Sequence, residues 1–392
     1  MPRRGRQSEP PDASAARIVE PLVAWFAGAK RDLPWRDLPA GRRDPYRTLV
    51  SEAMLQQTQV SRVVEKFRAF IERFPTVDAL AAADERDVMT QWAGLGYYRR
   101  ARNLHAAARH VVERCGRTFP SDVEGLLELP GVGRYTAGAI ASLALGRPAP
   151  IVDGNVARVM LRVQGRDLDP QAPATTAWAW EQAATFASAA GERAGEANEA
   201  LMELGATVCT PGANPSCGAC PLSERCEARR LGVQDRIPKP KKAKAPTKWW
   251  MAVLVIRDDQ GRLLCERRGP EGLWAGLRQP VTLEAQGAGE VEQAWLAEPT
   301  GACRGVRFAK VAAIKRQLTH RSLTVEVHEA TVTAATATRL TRAAIGPAIG
   351  LAGGQGTGLE RRWMTPEALA GAGLSRAHEA ALAAAGVVFG PG

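Results

Sequence analysis

Four of the chain's seven cysteines fall in one short segment, Cys209-x7-Cys217-x2-Cys220-x5-Cys226, at the end of a long helix-patterned region. The segment "TPGANPSCGACPLSERC" is rich in turn-forming residues and offers little apolar core, so four inert buried cysteines account for it poorly. Four thiolates this close can surround a single centre, either a four-iron cluster or a tetrahedral zinc. A zinc ribbon more often uses two Cys-x2-Cys pairs, and only one is present, which favours iron. Cys115, Cys265 and Cys303 are scattered, as expected of a reducing compartment with one metal site rather than a disulfide framework.

The chain's 392 residues allow two domains, each with its own core. From Ala15 to about Arg230 the pattern is helix after helix. Leu49, Ala53, Gln56, Val60, Val63 and Phe67 keep helical spacing through "TLVSEAMLQQTQVSRVVEKFRAF". Ser121 with Glu124 reads as a reciprocal capping pair ahead of "GLLEL". "RIPKPKKAKAPTK" then mixes prolines with lysines and reads as an extended, solvated linker. Beyond it, "WWMAVLVIRDDQGRLLCERR" reads as two strands around a turn at Asp258–Gly261, "SLTVEVHEATV" as a further strand, and Thr365-Pro366-Glu367 as a helix start. The expected organisation is a flexible basic arm (1–14), a mainly α domain (15–232), a linker (233–248) and a smaller α/β domain (249–388). A net charge of +11 favours a polyanionic partner, nucleic acid above all. No apolar run approaches the roughly 20 residues that span a membrane, and Met1–Pro11 lacks the apolar stretch of a signal peptide, so a cytoplasmic protein is expected.

"LPGVGRYTAG" (129–138) is a tight turn between two helical patterns. Gly131 and Gly133 flank an apolar residue and leave backbone amides free to face outward at a helix start, which suits one DNA phosphate; a plain helix–helix turn uses the same residues. "GVGRYTAG" superficially matches a dinucleotide-binding fingerprint, but a helical pattern precedes it where that motif needs a strand. Glu52 lies one turn from Leu49 and Leu55, at the border of an apolar face. There desolvation favours a protonated carboxyl, the form a general acid needs, although a solvated helix residue fits the spacing as well. Asp153 in "PIVDGNVARV" reads locally as a helix N-cap.

"SEAMLQQTQV", "GLGYYRRARNL", "LPGVGRYTAG", "VDGNVARV" and the cysteine loop occur in the order found in helix-hairpin-helix DNA glycosylases that carry an iron–sulfur cluster. "MLQQTQV" and "GLGYY" resemble the adenine DNA glycosylase (MutY) branch, which removes adenine mispaired with 8-oxoguanine. The resemblance is strong over about residues 18–230 and weaker beyond. It implies a helix-hairpin-helix glycosylase fold with a 4Fe–4S cluster on Cys209, Cys217, Cys220 and Cys226, followed by a Nudix-like α/β domain. It implies a monofunctional glycosylase that acts as a monomer on duplex DNA with adenine opposite 8-oxoguanine or guanine, at the bacterial nucleoid when bound. Glu52 matches the acid that protonates the flipped adenine and helps position water. Asp153 matches the carboxylate that stabilises the oxocarbenium-like sugar, and Asn155 a residue that orients the scissile site. Leu55, Gln57, Thr58 and Tyr97 match positions around the opposing damaged guanine, with Tyr97 as a wedge; an ordinary core tyrosine is the alternative at 97. Arg36 and Glu199 match residues that line the adenine pocket.

The chain departs from the family in three places. The first two cysteines enclose seven residues where six are common. The segment that reads Phe-Ser-His in the family is Leu318-Thr319-His320 here, which keeps a hydroxyl and the histidine but loses the aromatic. "GLRQPVTLEAQGAGEVEQAW" lacks the Arg-Glu-x-x-Glu-Glu core of a working Nudix hydrolase, so the second domain is expected to recognise rather than hydrolyse. Two alternatives stand beside the glycosylase. A bifunctional endonuclease III-like lyase needs a lysine where Tyr135 stands, and no lysine occurs between Lys66 and Lys239. A non-catalytic DNA-binding relative would not need both Glu52 and Asp153.

Overall fold

The computed structural model describes residues 11–36, 43–212, 214–239, 245–269, 273–285, 305–318, 321–342, 360–370 and 374–389. The chain divides into two compact units, Met1–Ala83 with Arg100–Lys242 and Asp84–Arg99 with Ala243–Gly392. The helices are α1 (Pro11–Ala29), α2 (Pro45–Leu55), α3 (Val60–Arg73), α4 (Val77–Ala81), α5 (Glu85–Gln91, in the second unit), α6 (Arg99–Arg114) and α7 (Val123–Leu127). They continue as α8 (Arg134–Ala139, extended by a π turn at Ile140–Ala144), α9 (Gly154–Val163), α10 (Pro173–Ala190), α11 (Ala194–Thr207) and α12 (Glu227–Leu231). No helix among the described residues is long and apolar enough to cross a membrane.

In the first unit Leu22 and Phe26 of α1 pack with Val156, Val159 and Met160 of α9, Phe186 of α10, and Leu201 and Leu204 of α11. Burying each such side chain contributes about 1.5–3 kcal/mol. Close approach of α11 to α9 depends on Gly205, because a Cβ there would stand 2.6 Å from the Cβ of Asn155. Gly205→Ala is therefore expected to cost about 1–3 kcal/mol by overpacking. Urea unfolding checks this, and an unchanged midpoint would show that the contact yields freely.

Three local expectations are corrected. The spacing from Leu49 to Phe67 reads as one run, but two helices form. Asp44 caps α2 by accepting from Arg47 N at 2.8 Å, and α2 stops at Leu55. Its last carbonyls turn to the Arg100 guanidinium, which donates to Ala53 O (2.7 Å), Met54 O (2.8 Å) and Gln56 O (2.6 Å). Gln57 is left-handed (φ 54°), and α3 restarts at Val60. The cap of α7 is Asp122, accepting from Gly125 N at 2.8 Å, not Ser121; a carboxylate at the cap also complements the helix dipole. The basic segment is not solvated at its start, because Ile237 is buried with Leu161 and Ala228.

The second unit holds β1 (Thr247–Arg257), β2 (Leu263–Arg267), β3 (Arg278–Ala285), β4 (Ala309–Gln317), β5 (Arg321–Thr331) and β6 (Arg361–Met364). They form one mixed sheet in the order β4-β5-β1-β3-β2-β6, with β1 parallel to β5 and the other described pairings antiparallel. The near-continuous apolar run of β1 suits a central strand covered on both faces. Met251, Val253 and Val255 face a cluster with Leu382, while Ala252, Leu254 and Ile256 face one with Leu340. The turn at Asp258–Gly261 and the helix start at Thr365 form where the sequence places them, the latter as the helix Pro366–Ala370.

Candidate active site

Segments far apart in sequence meet around one cavity of about 400 Å³ in the first unit. Glu52, Leu55, Gln57 and Thr58 reach it from α2 and the turn after it. Tyr135 comes from the start of α8, Asp153 and Asn155 from the start of α9, Arg36 from the segment after α1, and Glu199 from α11. All nine are residues singled out in the sequence.

Glu52 is 4% exposed, so the solvated alternative does not hold. Burial, the largest influence, pushes its carboxyl above the ordinary range; Arg43 and a hydrogen bond from Tyr135 pull it back, and Asp153 and Glu199 push it further up. The same burial, together with Glu52 and Asp153, keeps the Tyr135 phenol protonated well above its usual range. The Tyr135 oxygen also lies 3.2 Å from the Met202 sulfur. Such a carboxyl can hold a proton that an exposed glutamate would lose.

Asp153 both caps a helix and lines the cavity. One oxygen accepts from Val156 N at 2.7 Å and the other from Asn155 Nδ2 at 3.1 Å. Asn155 is held in turn by Arg158, whose Nη2 donates to Asn155 Oδ1 (2.8 Å) and Gly205 O (2.7 Å), while its Nε donates to Cys209 O at 2.9 Å.

The wall opposite is a charge ladder. Glu199 and Glu203 lie one turn apart on α11. Arg36 donates to Glu199 Oε1 (2.8 Å) and Glu203 Oε2 (2.9 Å), Arg31 holds Glu203 Oε1 at 2.6 Å, and Arg43 pairs with Glu199. Burial works against Glu203, yet the Arg31 and Arg36 bonds keep its carboxyl below the ordinary range. Trp35 adds an aromatic surface to the lining. Arg31, Arg43, Glu203, Arg100 and Arg158 were missed in the sequence. For Arg158 the available signal was a charged residue among the apolar positions of "VARVMLRV".

The hairpin of α7 and α8 stands in the same unit. Gly131 has φ 75°, and a Cβ there would meet Asn103 Cβ at 2.5 Å, so glycine is required. Gly133 is the exposed N-cap of α8, with φ −95° and open space around its Cβ position. Tyr97 belongs to the second unit. It is 47% exposed with φ 48°, while its neighbour Tyr98 is buried, so Tyr98 and not Tyr97 is the core tyrosine. Thr319 and His320 lie outside the described residues; Leu318 packs partly buried against the β1 core.

Cys209, Cys217, Cys220 and Cys226 line one small cavity with Val159, Leu204, Leu222 and Arg162. Among the described residues no three His, Cys, Asp or Glu side chains converge tightly enough to grip a single ion. All four cysteines instead border one hollow, and a four-iron cluster would take one thiolate from each. Gln234 in the same lining has its side-chain oxygen buried without a hydrogen-bond partner among the described residues. Turned about its amide, it would present N–H donors to sulfur.

A helical hairpin that contributes Tyr135 to a cavity lined by Glu52 and Asp153, with a four-cysteine loop in the same unit, is the arrangement expected of a helix-hairpin-helix base-excision repair protein. Residues 50–184 match the HhH-GPD superfamily of base excision DNA repair proteins, and residues 252–384 match the NUDIX domain. The chain is 38% identical over 277 residues to the adenine DNA glycosylase of Mycobacterium tuberculosis, covering 71% of this chain and 83% of that protein. It is 45% identical over 224 residues to that of Mycolicibacterium smegmatis (54% and 69%) and 46% identical over 222 residues to the human one (55% and 40%). The chain belongs to the adenine DNA glycosylase family. It spans 40% of the human relative's length and 42% of that from Rattus norvegicus.

Proposed function

We propose that this protein is a monofunctional DNA glycosylase that removes adenine mispaired with 8-oxoguanine or guanine from duplex DNA. The observation that carries this reading is the gathering of Glu52, Tyr135, Asp153 and Asn155 around one cavity large enough for a flipped purine. With the base flipped in, Glu52 gives its proton to a ring nitrogen of adenine, and the glycosidic electron pair leaves with the base. The sugar becomes oxocarbenium-like, and the Asp153 carboxylate, fixed by Val156 N and Asn155, stabilises that charge. Water then attacks the sugar carbon, its departing proton passes to Glu52, and an abasic site is left. Tyr135 holds the Glu52 carboxyl and, lacking an amine, cannot capture the sugar as an imine.

Gly131 and Gly133 would seat a DNA phosphate, Tyr97 would wedge into the stack, and Gln57 with Thr58 would meet the opposing base. Arg36 and Glu199 would line the adenine pocket. Thr319 and His320 of the Nudix-like domain would contact 8-oxoguanine. The four cysteines would hold a 4Fe–4S cluster, which supplies a structural tie and a redox-active centre. A panel of duplexes with adenine opposite 8-oxoguanine, guanine, cytosine or thymine tests the specificity. Excision is expected with 8-oxoguanine and guanine and much less with the others; equal excision from all four would remove the opposite-base role.

A further inference from the structure

The cysteine cavity is walled on one side by Arg162, which stands one turn beyond Arg158 on α9 and is 2% exposed. A guanidinium stays charged at any working pH, and a buried charge requires compensation. Its hydrogen bonds go to Ile237 O through Nε (2.7 Å), to Thr210 O (2.7 Å) and Cys209 Sγ (3.4 Å) through Nη1, and to Gly212 O through Nη2 (3.2 Å). These are three carbonyls and a sulfur; among the described residues no carboxylate pairs with it. A cation with that partner set faces a cavity lined by four thiols. A four-iron centre bound by four thiolates carries net negative charge, which is the counter-charge this guanidinium lacks. Two of the three carbonyls, Thr210 and Gly212, belong to the segment between Cys209 and Cys217, and Ile237 belongs to the segment beyond the last cysteine. One side chain thus ties both ends of the cysteine loop to α9.

We propose that Arg162 is the positioning residue of the cluster site, clamping the loop that carries Cys209 and supplying the fixed cation and N–H···S donor that set the cluster's reduction potential. The proposal rests on the reading that the four cysteines hold the iron–sulfur cluster. Hydrogen bonds and positive charge beside the sulfurs favour the more negative, reduced form, so they raise the potential. Outer-shell partners of this kind typically change metal affinity by about 10–100-fold.

The experiment uses the full-length protein purified with its cluster, as wild type, Arg162→Gln and Arg162→Lys. Three readouts are taken: iron and sulfide per chain, the midpoint potential by voltammetry, and the rate of loss of the cluster's visible absorption under a chelator. Arg162→Gln is expected to have a lower potential than wild type and to lose its cluster about tenfold or more faster. Arg162→Lys keeps the charge but cannot span four acceptors, so its potential should stay near wild type while its loss rate rises. An Arg162→Gln protein with wild-type potential and loss rate would overturn the proposal. If that variant does not fold, an Arg162→Lys protein that loses its cluster at the wild-type rate overturns the clamp. Wild-type protein purified without iron or sulfide would sink the cluster reading itself, a result separate from either.

Discussion

Glu52→Gln protein will bind a duplex carrying adenine opposite 8-oxoguanine and leave the adenine attached, with excision roughly 10²–10⁴-fold slower than wild type. The amide fills the same space between Tyr135 and the α2 core but has no proton to give. Binding should survive, because Glu52 is buried rather than placed at the DNA-facing surface. Excision and gel-shift titration, run on the same preparation, separate the two effects; wild-type excision would sink the acid assignment.

The raised pKa of the buried Glu52 carboxyl also has two pH consequences. Because the acid acts in its protonated form, wild-type excision should fall as pH rises through that raised value. For stability, a carboxyl whose folded pKa exceeds its unfolded one is no burden below the unfolded value. Its cost appears as pH rises through the ordinary carboxylate range and is complete above the folded pKa. Glu52→Gln should therefore melt at a higher temperature than wild type near neutral pH, and the gain should vanish in acid. Thermal melts across pH check this, and an equal gain in acid would contradict the linkage.

Asp153→Asn is the second large effect. Asparagine is as good an N-cap as aspartate, so α9 should keep its start and the fold its stability. The charge is lost, and excision should fall roughly 10²–10³-fold. Asp153→Ala would lose the cap as well and unfold at lower denaturant, by about 1 kcal/mol. Together the pair divides the capping role from the electrostatic one. An Asp153→Asn enzyme with wild-type turnover would leave only the cap.

Much of this was legible in the sequence because the relevant signals are local. The cysteine spacing, the Asp153 cap, the Gly131 turn and the strand pattern of β1 each depend on residues within a few positions of one another. The break between α2 and α3 was not legible. Gln56 and Val60 keep the apolar spacing, and only the Arg100 guanidinium, arriving from α6, claims the carbonyls that end α2. The arginine ladder of Arg31, Arg36 and Arg43 was half visible for the same reason. Arg36 stands in a motif, whereas Arg31 and Arg43 matter only because the packing of α1 and α11 brings Glu203 and Glu199 to them. Arg158 and Arg162 look like solvated charges in the sequence and prove to be buried links, because most of their acceptors are backbone carbonyls that leave no trace in side-chain identity. Tyr97 and Tyr98 are adjacent and chemically identical, and only the left-handed backbone at 97 separates the exposed one from the core one.

The measurement closest to the central claim is a single-turnover reaction of wild-type protein with an end-labelled duplex bearing adenine opposite 8-oxoguanine. Free adenine, strand integrity before and after alkali, and borohydride-trapped complex are followed in parallel. The expected result is stoichiometric release of adenine, an unbroken strand until alkali is added, and no trapped complex. Tight binding without adenine release, or a trapped covalent complex with strand cleavage, would contradict it.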